Sequence, residues 1–285
     1  MPVVASEAVV LRTWPVHEAD LVVSFFTRDY GRLKGIAKSA LKSRKRFGGA
    51  LEPMTLARAF FAARPRQELV RLDQLEIVRS PLSGPVDAVQ LAVLSFYAEL
   101  IDEALPEHDP QDAVFRLLVS VLERTAPPNP GMPLTYFMLW ITRLMGLLPD
   151  LGRCIVCGQP LHAAAVVETA ISNEPSCDCP ETAPLSSAAS AAGAGSSPRR
   201  LTAAFFNACS DGLLCQLHCT AAATALSFDS WQLAQRMLRA PVAVFAAEPW
   251  PRRRAQDLRR FLLQILERHL ERKLRSAEAL ARLGA

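Results

Sequence analysis

Leu21-Val22-Val23-Ser24-Phe25-Phe26, the turn Asp29-Tyr30-Gly31, and Arg32-Leu33-Lys34-Gly35-Ile36-Ala37 decide how the first third of this chain folds. Two short runs rich in Val, Leu, Ile and Phe, separated by a glycine-containing turn, spell a β-hairpin. Runs of the same kind at 7–12, 55–61 and 68–78 raise the count to five strands, with no long helical pattern among them. Five short strands in this length predict a small closed or partly open barrel, such as the five-stranded OB-fold, over residues 1–82.

Beyond Pro85 the period changes. Val86, Val89, Leu91, Leu94, Phe96, Tyr97, Leu100 and Ile101 recur at the three-to-four spacing of a buried helix. Further helices are predicted at 111–124 and 133–148, separated by Pro127, Pro128 and Pro130, then at 228–239, and as one long helix over 252–280. The segment 186–197 contains only Ser, Ala and Gly, so 159–212 reads as a flexible insertion. The expected class is α+β: a barrel domain at 1–82, then a mainly helical domain at 83–285.

Between Arg28 and Arg46 stand Arg28, Arg32, Lys34, Lys38, Lys42, Arg44, Lys45 and Arg46 against Asp29 alone, a local charge of +7. Cations along an extended track suit a phosphate backbone, and nearby aromatic faces suit unpaired bases. Tyr30 and Phe47, in turn or loop sequence, are the rings expected to face such a strand. Over the whole chain the net charge is +4, yet it divides into +6 for 1–82, −6 for 83–150 and +4 for 151–285. That segregation predicts separate modules with separate surfaces.

Seven cysteines, an odd number clustered from Cys154 to Cys219, fit reduced thiols around a metal better than a disulfide framework. Cys154-x-x-Cys157-Gly158 forms one half of a tetrahedral thiolate site, and Cys215-Gln216-Leu217-His218-Cys219 offers the other. The fourth ligand is either Cys219, which is favoured, or His218. Four protein ligands leave no open position for water, so a zinc ion here would be structural. Cys177, Cys179 and Cys209 receive no role.

Arg252, Arg253 and Arg254 open the last predicted helix, where the macrodipole disfavours cations. Beside an apolar stripe they could grip a short acidic peptide with a hydrophobic end. No phosphate-binding glycine loop, H-E-x-x-H or nucleophile set is present, and Glu18 and Asp20 read as a solvated turn, so no enzyme is expected. Residues 1–11 lack a secretion leader, and the apolar run 134–148 is cut by Arg143 and shorter than the roughly 20 residues of a membrane span. A soluble cytoplasmic protein with no membrane partner follows as the expectation.

The chain resembles the bacterial recombination mediator RecO family. The resemblance lies in Glu7-Ala8-Val9-Val10-Leu11-Arg12, Glu18-Ala19-Asp20, Phe26-Thr27, Tyr30-Gly31-Arg32, Ala37-Lys38 and Arg46-Phe47-Gly48-Gly49-Ala50-Leu51-Glu52-Pro53. It resumes at Leu148-Pro149-Asp150-Leu151, Cys154 to Gly158, Gly212-Leu213-Leu214-Cys215, His269-Leu270, Arg272, Leu274 and Ser276. It implies an OB-fold barrel, a helical domain and an embedded zinc knuckle. It also implies binding of single- and double-stranded DNA, annealing of complementary strands, and contact with the acidic tail of single-stranded DNA-binding protein. Cooperation with RecR to load the recombinase RecA, near the bacterial nucleoid, belongs to the same implication. Ser39 stands where the family often has glycine. The competing expectation is a zinc-ribbon scaffold binding RNA or protein in translation or transcription, which would not accelerate annealing of DNA strands.

Overall fold

The computed structural model describes residues 3–16, 18–43, 45–62, 68–161 and 202–284. Five strands, β1 (Val4–Pro15), β2 (Leu21–Thr27), β3 (Gly31–Ala37), β4 (Leu56–Ala62) and β5 (Leu69–Arg79), close a barrel in the order β1-β2-β3-β5-β4. All neighbours are antiparallel except β3 with β5. The barrel interior is filled by alternate residues such as Ala8, Val10, Val23, Phe25, Leu33, Ala57, Phe61, Val70 and Leu72. On the outside of β1 and β2, Val9, Leu11 and Phe26 join a second core built from helices. Both faces of these strands are therefore buried, which explains why Val9 to Leu11 and Phe25-Phe26 read as continuous apolar runs rather than an alternation.

Helices α1 (Ala88–Ala104), α2 (Asp112–Leu122) and α3 (Gly131–Leu144) follow. Asp87 caps α1 by accepting the Gln90 backbone N–H at 2.7 Å. Two strands then pair, β6 (Thr202–Phe206) with β7 (Thr224–Ser227), before α4 (Phe228–Met237), α5 (Gln256–His269) and α6 (Arg275–Arg282). The expected insertion at 159–212 thus ends in an ordered strand: Phe205 pairs with Leu214 across the turn, and Ala204 and Phe206 enter the helical core. Its Ser/Ala/Gly stretch, with Cys177 and Cys179, lies outside the described residues.

The single helix expected over 252–280 is two helices. Glu271 adopts a left-handed φ of 53°, and the first free N–H groups of α6, from Arg275 and Ser276, are taken by the buried Glu99 carboxylate of α1 at 3.1 and 2.8 Å. A capping acid supplied across the fold, invisible to local periodicity, ends one helix and starts the next. At the other end, residues 252–255 are turn, so the three arginines precede α5 and Asp257 occupies its first turn. The apparent conflict with the macrodipole disappears. Among the described residues no helix is long and apolar enough to cross a membrane.

Candidate metal centre and nucleic-acid interface

Two tight turns meet at the cysteine cluster. Gly158 N–H donates to the Cys154 carbonyl at 2.8 Å with Gly158 at a positive φ of 68°, and His218 N–H donates to the Cys215 carbonyl at 3.1 Å. The turns are joined by Ile155 N–H to the Leu213 carbonyl at 2.9 Å. The result gathers Cys154, Cys157, Cys215 and His218, with their ligand atoms all within 4.8 Å of one another. Cys157 Sγ lies 3.9 Å from Cys215 Sγ, and His218 Nδ1 lies 3.2 Å from Cys215 Sγ and 3.9 Å from Cys154 Sγ. Thiolates at about 2.3 Å from a tetrahedral ion sit about 3.8 Å apart, so the spacing fits a single cation at the centre.

The fourth side chain brought into the cluster is that of His218, not of Cys219. The turn from Cys215 carries residue 218 inward, while the Cys219 thiol points away and meets the Gln216 carbonyl at 3.1 Å. Burial would raise the Cys154 thiol, but backbone N–H groups of Cys157, Cys215 and Val156 aim at its sulfur and bring it down to about 6. Burial pushes the Cys215 thiol up; backbone N–H groups of Leu217 and His218 oppose it, and the facing sulfurs of Cys154 and Cys157 add to the rise. Sulfurs that resist sharing negative charge are what a divalent cation relieves.

The basic stretch divides in two. Arg28 meets Glu7 at 3.2 Å and Asp112 at 2.9 Å. Arg32, with its side chain only 12% exposed, meets Asp102 at 3.4 Å and Glu107 at 3.2 Å and donates to the Leu105 carbonyl at 2.9 Å. Lys34 meets Glu107 at 2.8 Å. Arg12, which the sequence did not single out, adds contacts of 3.6 and 3.9 Å to Asp102 and Glu103. Apart from Glu7 of β1, the acids come from α1, the turn after it and the start of α2. The charge segregation seen in the sequence therefore marks two surfaces that face each other, not two that face apart. Gly31 shows how close they come: at φ 71°, a Cβ there would lie 2.3 Å from the Asp109 carbonyl oxygen.

The second half stays open. Lys38, Lys42 and Lys45 are exposed and form no ion pair among the described residues. They sit on the connection from β3 to β4, which is folded against the β1–β2 loop. There Ser39 N–H donates to Asp20 Oδ1 at 2.7 Å and Leu41 N–H to the Ala19 carbonyl at 3.2 Å. Asp20 thus has a positioning role that its polar surroundings did not reveal. Arg46 ties the loop together by donating to the Lys38 carbonyl at 2.6 Å and to Ser43 Oγ at 3.0 Å, with its guanidinium over the Phe47 ring. Arg44 lies outside the described residues.

Of the two rings expected to face nucleic acid, Phe47 does not. It is 2% exposed and plugs the barrel, because the short 3-10 turn Gly48–Leu51 that follows turns it inward among apolar neighbours. Tyr30 is 38% exposed and rests edge-on against Phe61 at 5.3 Å. It lies at the opposite end of β3 from the open lysines, about 23 Å away for a strand of this length.

In the helical part, Arg252 and Arg253 are exposed, whereas Arg254 meets Glu248 at 2.6 Å and covers the Trp250 ring. All three border an open cleft of about 680 Å³ shared with Arg236, Asp229 and Leu233.

Comparison with known proteins matches residues 1–81 to the N-terminal model of recombination protein O, and 85–194 with 191–278 to its C-terminal model. The chain belongs to the recombination protein O (RecO) family. A relative described as DNA repair protein RecO, from Koribacter versatilis (strain Ellin345), is 45% identical over 278 residues, 98% of each chain. Another, from Anaeromyxobacter dehalogenans (strain 2CP-C), is 31% identical over 280 residues, 97% of this chain and 95% of its own. A third, from Syntrophobacter fumaroxidans, is 35% identical over 167 residues, 58% of this chain and 65% of its own. Family membership agrees with the barrel, the helical part and the Cys/His cluster just described. Ser39 adopts a left-handed φ of 52°, a conformation open to glycine, and the Asp20 carboxylate accepts its N–H there.

Proposed function

We propose that the protein is a non-enzymatic mediator of DNA repair and recombination that holds single- and double-stranded DNA by its phosphates, with little sequence preference. The observation that carries this reading is the set of exposed, unneutralised cations Lys38, Lys42 and Lys45 on one anchored loop of the barrel. Phosphate contacts by lysine point charges fix a strand without reading its bases. A strand held in this way is free to pair with its complement, so the protein accelerates annealing of complementary strands. It then helps the recombinase displace single-stranded DNA-binding protein, in company with RecR.

The acidic tail of single-stranded DNA-binding protein is the partner proposed for the cleft at Arg252 and Arg253. Zinc is the metal proposed for Cys154, Cys157, Cys215 and His218: three thiolates and an imidazole suit its borderline softness. It would tie the two turns together as a structural ion, with the protein's own residues doing the binding and orienting.

Annealing of complementary DNA strands, followed with and without the protein, tests the reading. Acceleration by the wild type, lost when Lys38, Lys42 and Lys45 are all changed to Ala, is expected; a wild type that leaves annealing unaccelerated sinks the proposal. For the metal, elemental analysis should find one zinc per chain, retained in Cys219→Ala and lost in His218→Ala. The reverse pattern would return the fourth place to Cys219. Charge reversal at Arg252 and Arg253 should weaken an acidic, hydrophobic-ended peptide in calorimetry, and unchanged affinity removes the cleft from the account.

A further inference from the structure

The end of the barrel that carries the open lysines also carries an open ring. Trp14, near the end of β1, is 38% exposed, and among the described residues it meets no other ring and no cation. Its place follows from the register. Leu21, Val23 and Phe25 fill the barrel, so alternation turns Val22 and Ser24 of β2 outward. Trp14 lies opposite Val22, Val22 opposite Ile36 of β3, and Ile36 opposite Arg71 of β5. Partners in register share a face, so these four side chains form one row across the outside of four strands. Val22 and Ile36 are half-buried, and the exposed Arg71 is held on Asp73 at 2.8 Å.

The neighbouring outward row is already taken. Ser24 donates to Asp102 at 2.7 Å, and Arg12 and Lys34 on either side of it meet Asp102 and Glu107. The Trp14 row lies two residues further along β2, beyond that clamp and toward the lysine loop. Lys38 follows Ile36 by two residues, and Leu41 stands exposed on the same loop. Neighbouring strands are about 4.8 Å apart, so the apolar part of the row, from Trp14 to Ile36, spans about 10 Å. An apolar strip beside free cations matches the two parts of a nucleotide, with phosphate on the lysines and base on the ring.

We infer that Trp14, backed by Val22 and Ile36, is the platform on which an unpaired DNA base stacks, and that this contact makes the protein favour single strands over duplex. The inference rests on the phosphate reading of the lysine loop, to which it adds a contact with the bases. It puts Trp14 in the role expected of Tyr30 and Phe47, of which one lies at the far end of β3 and the other inside the barrel. In a duplex the faces of each base are covered by its neighbours, and a ring reaches them only when a base is flipped out. Every base has a π-face, so the row sorts strands by pairing and not by sequence.

The test gives the full chain two single strands of equal length and charge, an oligothymidylate and an abasic strand that keeps the phosphates and lacks the bases. The wild type should bind the thymidine strand about tenfold more tightly than the abasic one. Trp14→Ala should bring that ratio close to one, and Trp14→Phe should restore most of it. Trp14→Leu keeps apolar bulk without a ring and should behave as Trp14→Ala, so the result stands even where the smaller side chain unsettles the strand. Indole emission should be quenched by the thymidine strand and not by the abasic one, and the quenching should be lost in Trp14→Phe. A wild-type ratio of one, or a ratio kept in folded Trp14→Ala or Trp14→Leu, overturns the platform and leaves the phosphate reading standing. Binding of neither strand overturns both. A duplex whose affinity falls in Trp14→Ala as far as that of the thymidine strand overturns the selectivity assigned to the ring.

Discussion

Residues 28–34 and residues 38–46 carry the same kind of charge within one continuous basic stretch, yet they do opposite things. In the first half, Arg28, Arg32 and Lys34 face Asp102, Glu107 and Asp112 and bind the barrel to the helical part. In the second, Lys38, Lys42 and Lys45 face water. A cation's value to a polyanion depends on what already neutralises it, so counting charges along a sequence overstates a binding surface wherever acids arrive from elsewhere in the fold. Here Arg32 and Lys34 of the clamp lie on strand β3 itself, and the candidate track begins on the connection that follows it.

Several changes would break or sharpen this contrast. Arg32→Ala strips a nearly buried guanidinium, whose Nη1 meets both acids, from Asp102 and Glu107 and should cost about 3–5 kcal/mol in urea unfolding. A loss below about 1 kcal/mol would place Arg32 among ordinary surface ion pairs. Asp20→Ala removes the acceptor that holds the Ser39 turn. It should cost about 1 kcal/mol, by analogy with the loss of a helix cap, and should weaken DNA binding without altering any lysine. DNA affinity equal to the wild type would mean that the loop needs no anchor. Ser39→Gly relieves a left-handed backbone and should raise stability by at most about 1 kcal/mol, with DNA binding unchanged; a lowered melting temperature would contradict the strain assigned to that turn.

The smallest effect concerns pH. Lys34, donating to Glu107, holds that carboxyl below its ordinary range. A carboxyl with a depressed folded-state pKa contributes stability above its unfolded pKa of about 4.3 and loses it as pH falls through the folded value. The stability gap between the wild type and Lys34→Met should therefore be constant near neutrality and narrow below about pH 4. A gap that widens on acidification would reverse the assignment.

The five strands were legible because each keeps an apolar face whatever its neighbours do. Helices α1 to α4 were equally legible from their period. What escaped was set by distant partners. The break between α5 and α6 is made by Glu99, the inward turn of Phe47 by the space left at the barrel end, and the neutralisation of Arg32 by residues about 70 positions later in sequence. At the metal cluster both pairs of ligand positions were visible in the sequence. The choice of His218 over Cys219 depends on the phase of a single turn, which residue spacing does not encode.

The salt dependence of single-strand affinity, measured side by side for Lys38→Ala/Lys42→Ala/Lys45→Ala and for Lys34→Ala, tests the division most directly. Each lysine on a phosphate contributes about 0.7 to the slope of log affinity against log salt for single strands. The triple variant should lose about 2 from the wild-type slope, and Lys34→Ala should leave it unchanged. Equal slopes for the wild type and the triple variant, or a clear loss in Lys34→Ala, would contradict the account.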